Sequence, residues 1–181
     1  MNEILGGFLY FLSKVFLSYV GESDKKKIRI GWIVYLLGVP SWVIILWHYQ
    51  SYIFCGTELA GGIVIFRGLI SSFQEKKKTE FDSIDIGICV LVFLITLWHT
   101  VQTVGFESIV PYLEVIIAVG FPLGGYLRRK ENIFCWYAFT AMHLAAMPIL
   151  WEKGRMLLWT LQALSVFFAL RGVKNMAEAN E

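Results

Sequence analysis

Seven apolar runs follow one another along this 181-residue chain, and each is close to the length that a membrane-spanning helix needs. Such a helix takes roughly 20 predominantly apolar residues to cross a bilayer. Short polar or charged gaps separate the runs. The pattern predicts an all-α fold, a polytopic membrane helix bundle that forms a single integral membrane domain over residues 1–181. The predicted spans cover residues 4–20, 30–48, 52–73, 84–102, 108–127, 133–151 and 156–172.

The first run is short and carries Lys14 together with Gly6 and Gly7. An interfacial amphipathic helix is the alternative to a membrane span here. Apolar residues occur all round this segment rather than on one narrow face, which favours a span. A signal peptide is not indicated, because the basic residues at its start and the small-residue cleavage site at its end are both missing.

The composition agrees with a membrane protein and excludes several other classes. Charged residues make up 17% of the chain, against about 25% in a typical soluble domain, and the mean hydropathy is +0.61. The net charge of +2 is too small to indicate a nucleic-acid partner. The three cysteines lie inside apolar runs without the spacing of a disulfide framework or metal site. Nucleotide-binding, zinc-protease and serine-hydrolase motifs are absent, so neither an enzyme nor a cofactor is predicted.

Basic residues alternate with neutral segments between the runs, and this alternation predicts the orientation in the membrane. Lysine and arginine are enriched in cytoplasmic loops. The clusters place the N-terminus outside and the C-terminus in the cytoplasm, and a bacterial inner membrane is the expected location. One outer loop, with Lys153 and Arg155, does not follow the rule. The cytoplasmic clusters are Lys25–Lys27 with Arg29, Lys76–Lys78, Arg128–Lys130, and Arg171 with Lys174.

Two short sequence echoes suggest an internal repeat. Gly38-Val39-Pro40 resembles Gly120-Phe121-Pro122, and Ile53-Phe54-Cys55 resembles Ile133-Phe134-Cys135. Taken literally, they relate the second and third spans to the fifth and sixth, which is an inverted repeat. The alternative is a parallel repeat of spans one to three and five to seven, with span four as a linker. The echoes leave both schemes open, and the two mid-helix prolines permit kinks in either.

Polar side chains recur at one depth in the predicted bundle. Counted from the outer end of each span, they lie roughly 9–12 Å below the outer boundary. Ionisable groups inside a membrane are costly and normally face the bundle interior. We therefore predict a shared polar cavity with aromatic walls, suited to a polar or cationic aromatic solute. The candidate substrate-binding residues are Glu58, Glu114, His143 and Gln162 with Trp42, Trp136 and Trp159; Thr96 lies at the same level.

Each of these residues also has a purely structural interpretation. Glu58 and Glu114 are close enough to the interface to reach water, while the histidine and the glutamine can serve as hydrogen bonds between helices. Two further charged residues are expected near the cytoplasmic surface. Arg67 is expected to extend toward that surface, and Asp85 is expected to be exposed to water at the edge of its span.

The C-terminal third of the chain resembles a known family. Residues 126–136 read Tyr-Leu-Arg-Arg-Lys-Glu-Asn-Ile-Phe-Cys-Trp, and Asn132 and Trp136 stand where bacterial nicotinamide riboside/mononucleotide transporters (PnuC-like) carry the same residues. Thr140 stands where that family often has a second asparagine, and Gln162 is similar too. The resemblance implies seven helices in a three-one-three arrangement, Thr140 as a further substrate-binding residue, and facilitated diffusion of a vitamin-B3 nucleoside or a related compound.

Three functions are compatible with these features of the sequence. The leading hypothesis is a membrane transporter or facilitator of a small polar or cationic aromatic solute, with uncoupled diffusion favoured by the resemblance. The second is a substrate-binding or assembly subunit of a larger membrane complex. The third is a b-type cytochrome with His48, His99 and His143 as haem ligands, which needs two histidines at matched depth on facing helices. The expected partners are a small-molecule solute and the lipid bilayer, and a homo-oligomer is compatible with the sequence.

Overall fold

The computed structural model describes residues 7–9, 11–13, 25–73, 83–129 and 132–178, and the secondary structure of these residues is helical. Most of the first predicted span, residues 4–20, lies outside the described residues, although 7–9 and 11–13 are helical. Each of the six long helices contains a stretch apolar enough to cross a membrane, so the prediction of an all-α membrane bundle is confirmed. The helices are α1 (Lys25–His48), α2 (Tyr52–Phe73), α3 (Ser83–Thr103), α4 (Val110–Arg129), α5 (Phe134–Glu152) and α6 (Met156–Glu178).

The helix ends differ from the predicted spans where charged residues continue a helix. Helix α1 begins at Lys25 rather than at residue 30, and α6 continues to Glu178 rather than ending at residue 172. Hydropathy marks only the part of a helix that can lie in hydrocarbon, whereas the helical backbone continues through the charged residues at the ends that are predicted to be cytoplasmic. Helix α4 begins two residues later than predicted, at Val110.

Helix α2 lies at the centre of the described bundle and α3 at its edge. Helix α2 packs against α1, α3 and α4, while α4 also packs against α5, and α5 against α6. In the apolar stretch of α2, 61% of the residues are buried, against 17% for α3. Large apolar side chains such as Leu91, Ile95 and Trp98 point away from the bundle on α3. A helix this apolar on its outer face suits contact with lipid.

Two turns have the same backbone geometry, and both lie at the end of the bundle that is predicted to face outward, called the outer end below. In the turn between α1 and α2, the amide of Gln50 donates to Trp47 and the amide of Ser51 donates to Leu46, both at 3.0 Å. In the turn between α5 and α6, the amide of Gly154 donates to the Trp151 carbonyl in the same way. Such a helix end needs a left-handed residue, usually glycine. Gln50 has a φ of 59° and Gly154 a φ of 69°.

Exchanging the residue types at these two turns should change stability in opposite directions. Gln50→Gly should stabilise the protein and Gly154→Ala should destabilise it, each by about 1 kcal/mol, because a left-handed backbone is costly for any residue with a Cβ. Nothing lies within 4 Å of a methyl group placed at Gly154, so the second change tests the backbone alone. Thermal melting in detergent measures both effects, and melting temperatures that shift in the same direction would contradict this account.

The hairpins α1–α2 and α5–α6 repeat one another, with equivalent residues 104 positions apart. Gln50 and Gly154 are equivalent in this register. The same Ile-Leu-Trp tripeptide ends three residues before each of them, at Trp47 and at Trp151. Neither sequence echo noted above has this register. The shared geometry of the two turns, rather than either echo, defines the register of this repeat.

The register also holds for contacts at the opposite ends of the hairpins, which are predicted to be cytoplasmic and are called the cytoplasmic ends below. Trp32 of α1 packs over Gly68 of α2, where an added methyl group would lie 3.5 Å from the indole ring. Trp136 of α5 packs over Gly172 of α6 so closely that a methyl group would collide with the ring. Both glycines follow an arginine. The two hairpins therefore share their outer turn and their cytoplasmic packing.

A third helix packs against each hairpin in a similar way. Helix α4 packs against α2, and the N-terminal helical residues pack against α6. There, the ring of Phe11 lies 5.8 Å from that of Phe168, and Gly7 contacts Leu158. These contacts favour the parallel scheme, in which spans one to three and five to seven are the two halves and α3 links them, over the inverted scheme.

Candidate functional site

The four polar residues predicted to form one layer are all buried. The exposed fraction is 5% for Glu58, 1% for Glu114, 4% for His143 and 2% for Gln162. They lie four to nine residues from the outer ends of α2, α4, α5 and α6, or roughly 6–14 Å along the helix axes. Burial of groups that form strong hydrogen bonds with water is costly unless partners replace the water. The partners divide the layer into three separate contacts.

The Glu58 carboxylate joins α1 to α2. The hydroxyl of Tyr35 donates a hydrogen bond to Glu58 Oε2 at 3.0 Å, and both side chains are buried. Gly61, one turn after Glu58, makes this approach possible, since a methyl group there would lie 2.9 Å from the Tyr35 oxygen and 2.7 Å from the Phe121 ring. A carboxylate bound by a phenol and flanked by an aromatic ring is a suitable surrounding for a cationic group.

The Glu114 carboxylate reaches from α4 to the first turn of α2. The amide of Ile53 donates to Glu114 Oε2 at 3.1 Å, and the amide of Phe54 and the hydroxyl of Ser51 face the same carboxylate. Amide groups at a helix N-terminus lack partners within the helix, and a negative charge there is favourable. Glu114 therefore caps α2 from another helix. Lys153, in the α5–α6 turn, is near enough to attract the carboxylate.

Two buried oxygen atoms in this cap keep free hydrogen-bonding capacity. Glu114 Oε1 and Ser51 Oγ form no hydrogen bond of normal geometry with any described residue, and each residue is 1% exposed. Leaving such atoms without partners costs free energy. In the cap, a hydrogen bond from the Ile53 amide therefore holds Glu114 Oε2, whereas no such bond to a described residue holds Glu114 Oε1.

The third contact joins α5 to α6. Nδ1 of His143 lies 2.6 Å from Oε1 of Gln162. An amide oxygen only accepts hydrogen bonds, so Nδ1 carries the proton and donates it. Gln162 is the equivalent of Glu58 in the 104-residue register. The two halves thus place a carboxylate and an amide at matching positions, and each is tied to the preceding helix of its own hairpin.

Two of the predicted tryptophans lie in the apolar core beside this layer. Trp42 is buried and its ring lies 6.2 Å from that of Phe54. Trp159 packs against the same core cluster and meets the ring of Trp151 at 5.9 Å. Trp42 lies six residues before the end of α1, and Trp159 lies three residues after the start of α6. Both are therefore in the same half of the bundle as the buried polar residues.

The structure does not bring Trp136 and Thr140 to the layer. Trp136 lies at the cytoplasmic end of α5, seven residues and about 10 Å from His143 along the helix, and its ring lies 6.1 Å from that of Phe139. The hydroxyl of Thr140 donates to the Trp136 carbonyl at 2.8 Å. Of the candidate site residues that the resemblance includes, Gln162 therefore lies in the layer, whereas Trp136 and Thr140 lie below it on α5.

A small cavity lies between α2, α3 and α4, beside the layer. Its volume is about 10 Å³, enough for one water molecule at most. None of the predicted site residues lines it. The buried polar groups of the layer are therefore enclosed by their own hydrogen-bonding partners rather than exposed to this cavity. The cavity is lined by Gly56, Thr57, Ala60, Cys89, Phe93, Ala118, Phe121 and Pro122.

One expectation at the end of the bundle predicted to be cytoplasmic was wrong. Asp85 is 5% exposed rather than accessible to water, and it forms an ion pair with Arg67. Arg67 reaches this carboxylate near the start of α3, at the end of the bundle toward which it was expected to extend. The pair links the most buried helix to the most exposed one, and the carboxylate is buried because it has this partner.

Sequence reasoning missed Tyr35 as a partner of Glu58. The 104-residue register pairs Tyr35 with Phe139, so the hydroxyl is the one difference between two otherwise equivalent rings. This difference between Tyr35 and Phe139 is the sequence signal that points to Tyr35, and it can be recognised only when the 104-residue repeat is known.

The three histidines have different surroundings. His48 is exposed at the end of α1. The ring of His99 stacks on that of Trp47 at 5.6 Å and meets that of Tyr52 edge-on at 4.4 Å. His143 is bonded to its glutamine in the layer. These contacts do not pair two histidines on facing helices, so they give the b-type cytochrome hypothesis no support.

Comparisons with known proteins identify no relative. No family model, no curated protein and no solved structure matches the chain. The resemblance to the nicotinamide riboside transporters therefore rests on the residues quoted for it, and function has to be inferred from the geometry of the buried layer.

Proposed function

We propose that this membrane protein is a transporter or facilitator of a small polar or cationic aromatic solute. The observation that supports it is the layer of buried ionisable and polar side chains, which is distributed over α2, α4, α5 and α6. Polar groups at membrane depth are costly and mark solute or ion pathways in many membrane proteins. A bundle that needed only stability would be expected to place apolar side chains there.

The repeated halves support transport in a second way. Many transporters consist of two structural repeats, with the substrate bound near the middle of the membrane at the interface between them. Here Glu58 and Gln162 occupy equivalent positions in the two halves. Sliding or rocking of one half against the other would part Glu114 from the first turn of α2. Such a movement would give a solute access to the buried carboxylates and rings of the layer.

The chemistry of the layer favours a solute with a cationic ring. Glu58 and Glu114 supply negative charge, and Trp42, Phe54 and Phe121 supply aromatic faces close to them. A pyridinium nucleoside such as nicotinamide riboside combines a positive charge with an aromatic ring, and it is the compound class that the sequence resemblance implies. No nucleotide-binding motif is present in the sequence, and we propose uncoupled diffusion down the gradient of the solute.

A ligand-induced thermal shift tests this proposal. The purified protein is melted with nicotinamide riboside, nicotinamide, uncharged nucleosides and sugars, each at the same concentration. A ligand at about 100 times its Kd stabilises the native state by about 2.7 kcal/mol, which is easily detected. We expect a shift with the cationic ring compound that is lost in Glu58→Gln. Shifts no larger than those with uncharged sugars would contradict the proposed solute class.

The proposed orientation predicts which side of the membrane each loop faces. Gln50→Cys and Glu107→Cys should react with a membrane-impermeant maleimide applied to intact cells, whereas Lys26→Cys should react only after the cells are opened. All three positions are exposed. Reaction of Lys26→Cys from outside would reverse the topology. The two basic residues that depart from this orientation both have partners inside the bundle: Lys153 interacts electrostatically with Glu114, and the guanidinium of Arg155 lies over the Tyr49 ring.

A further inference from the structure

Two contacts of charged side chains, among the described residues, join the outer ends of the two halves. Glu114 of α4 caps the first turn of α2. Beside it, the guanidinium of Arg155 lies 4.5 Å from the centre of the Tyr49 ring. Tyr49 belongs to the α1–α2 turn and Arg155 to the equivalent α5–α6 turn, so both contacts join one half to the other. The Glu114 contact is the deeper of the two, and one oxygen of its carboxylate has no hydrogen-bonding partner among the described residues.

Helix α4 contains a point at which its outer part can bend. Pro122 lies eight residues after Glu114 and cannot donate the usual hydrogen bond to the carbonyl of Ala118. Ala118 and Pro122 both line the small cavity beside α2 and α3. The backbone of α4 therefore lacks one hydrogen bond at residues that line the cavity, so the outer part of the helix can bend there. Kinks at proline commonly act as hinges in membrane helices.

We propose that Glu114 is the latch of an outer gate, and that the outer part of α4 opens at Pro122 when the carboxylate leaves the first turn of α2. The purpose of the gate rests on the proposed transport function, since opening would give a solute access from outside to the Glu58 carboxylate. The gate itself does not depend on any particular solute. Its opening can be measured without one.

Cys55 is a natural reporter of this opening. It lies one turn after Ser51 on α2, it is 5% exposed, and its thiol is close enough to both Glu58 and Glu114 to interact with them electrostatically. A variant with Cys89→Ala and Cys135→Ala retains Cys55 as the one thiol in the sequence. In this background, a cationic, membrane-impermeant methanethiosulfonate is applied to the outside of intact cells, and its rate of reaction with Cys55 is measured.

Glu114→Gln should raise the rate of labelling from outside about tenfold, because the neutral amide oxygen accepts a hydrogen bond roughly half as strong as the carboxylate does. Glu58→Gln is the matched control, because it removes a negative charge beside the same thiol without touching the cap. If Glu114→Gln does not accumulate, Glu114→Asp takes its place. It keeps the charge but withdraws the carboxylate by one methylene, and it should raise the rate in the same direction.

Labelling that rises equally in Glu58→Gln would be an electrostatic effect and would overturn the gate. An unchanged rate in Glu114→Gln or Glu114→Asp, in protein that melts as the parent does, would also overturn it. Pro122→Ala should reduce the increase, because it restores the backbone hydrogen bond to Ala118 and stiffens α4. A thermal-shift screen that finds no solute would contradict the proposed function and leave this measurement intact.

Discussion

Replacing Arg67 with leucine should lower the free energy of unfolding by about 3 kcal/mol, the lower end of the range for losing one partner of a buried ion pair. The Asp85 carboxylate is 5% exposed and would remain in place without its partner. The lower end applies because the Arg67 side chain is itself 27% exposed, so water could partly replace it. Unfolding with sodium dodecyl sulfate in mixed micelles measures the change.

The internal repeat provides a matched control for this prediction. Arg171 is equivalent to Arg67 but is exposed, so water screens the interactions of its charge and Arg171→Leu should change stability by less than about 1 kcal/mol. Changing both Arg67 and Asp85 to leucine should restore most of the lost stability, because an apolar pair can replace a buried ion pair. If Arg67→Leu and Arg171→Leu lowered the free energy of unfolding equally, the ion pair between Arg67 and Asp85 would make no contribution to stability.

Adding one methyl group at Gly61 should destabilise the bundle by about 2 kcal/mol, as expected for overpacking a dense core. The new Cβ would lie 2.7 Å from the Phe121 ring and 2.9 Å from the Tyr35 hydroxyl. These groups belong to two different helices, α4 and α1, so moving one of them does not relieve both contacts. Displacing Tyr35 would also break its hydrogen bond to Glu58.

Gly87→Ala is the control for Gly61→Ala, because it makes the same chemical change in another helix. No atom lies within 4 Å of a methyl group placed at Gly87. Alanine there should stabilise α3 by about 0.5–1 kcal/mol, through its higher helix propensity. Thermal melting of the two variants should therefore give shifts of opposite sign. A Gly61→Ala protein that melts as the parent does would show that α1, α2 and α4 are packed less tightly than the structure indicates.

The bundle and its helices could be predicted from the sequence because the bilayer imposes a single requirement. Every spanning segment must be helical and apolar over about 20 residues, and hydropathy detects this directly. Burial of Glu58, Glu114, His143 and Gln162 was also predictable from their depth. Helix ends beyond the apolar core were not, because Lys25 and Glu178 extend helices into a region where hydropathy no longer reports on structure.

The partners of the buried groups could not be predicted, because they depend on how each helix is rotated and tilted. Depth along a helix places Glu58 and Glu114 in one layer, yet one pairs with a phenol on α1 and the other with backbone amides of α2. From the sequence, Asp85 was predicted to be accessible to water because it stands at the end of an apolar run. The packing of α2 against α3 encloses it instead, and no local pattern in the sequence reports that packing.

Uptake into proteoliposomes tests the central claim, that solutes cross the membrane through this bundle, most directly. Vesicles containing the purified protein are given radiolabelled nicotinamide riboside, or whichever compound produces the largest thermal shift, and protein-free vesicles serve as the control. We predict saturable uptake that stops when the concentrations inside and outside are equal, that is unaffected by an imposed proton or sodium gradient, and that is reduced in Glu58→Gln. Uptake no faster than in protein-free vesicles would contradict transport, and accumulation driven by a proton gradient would contradict uncoupled diffusion.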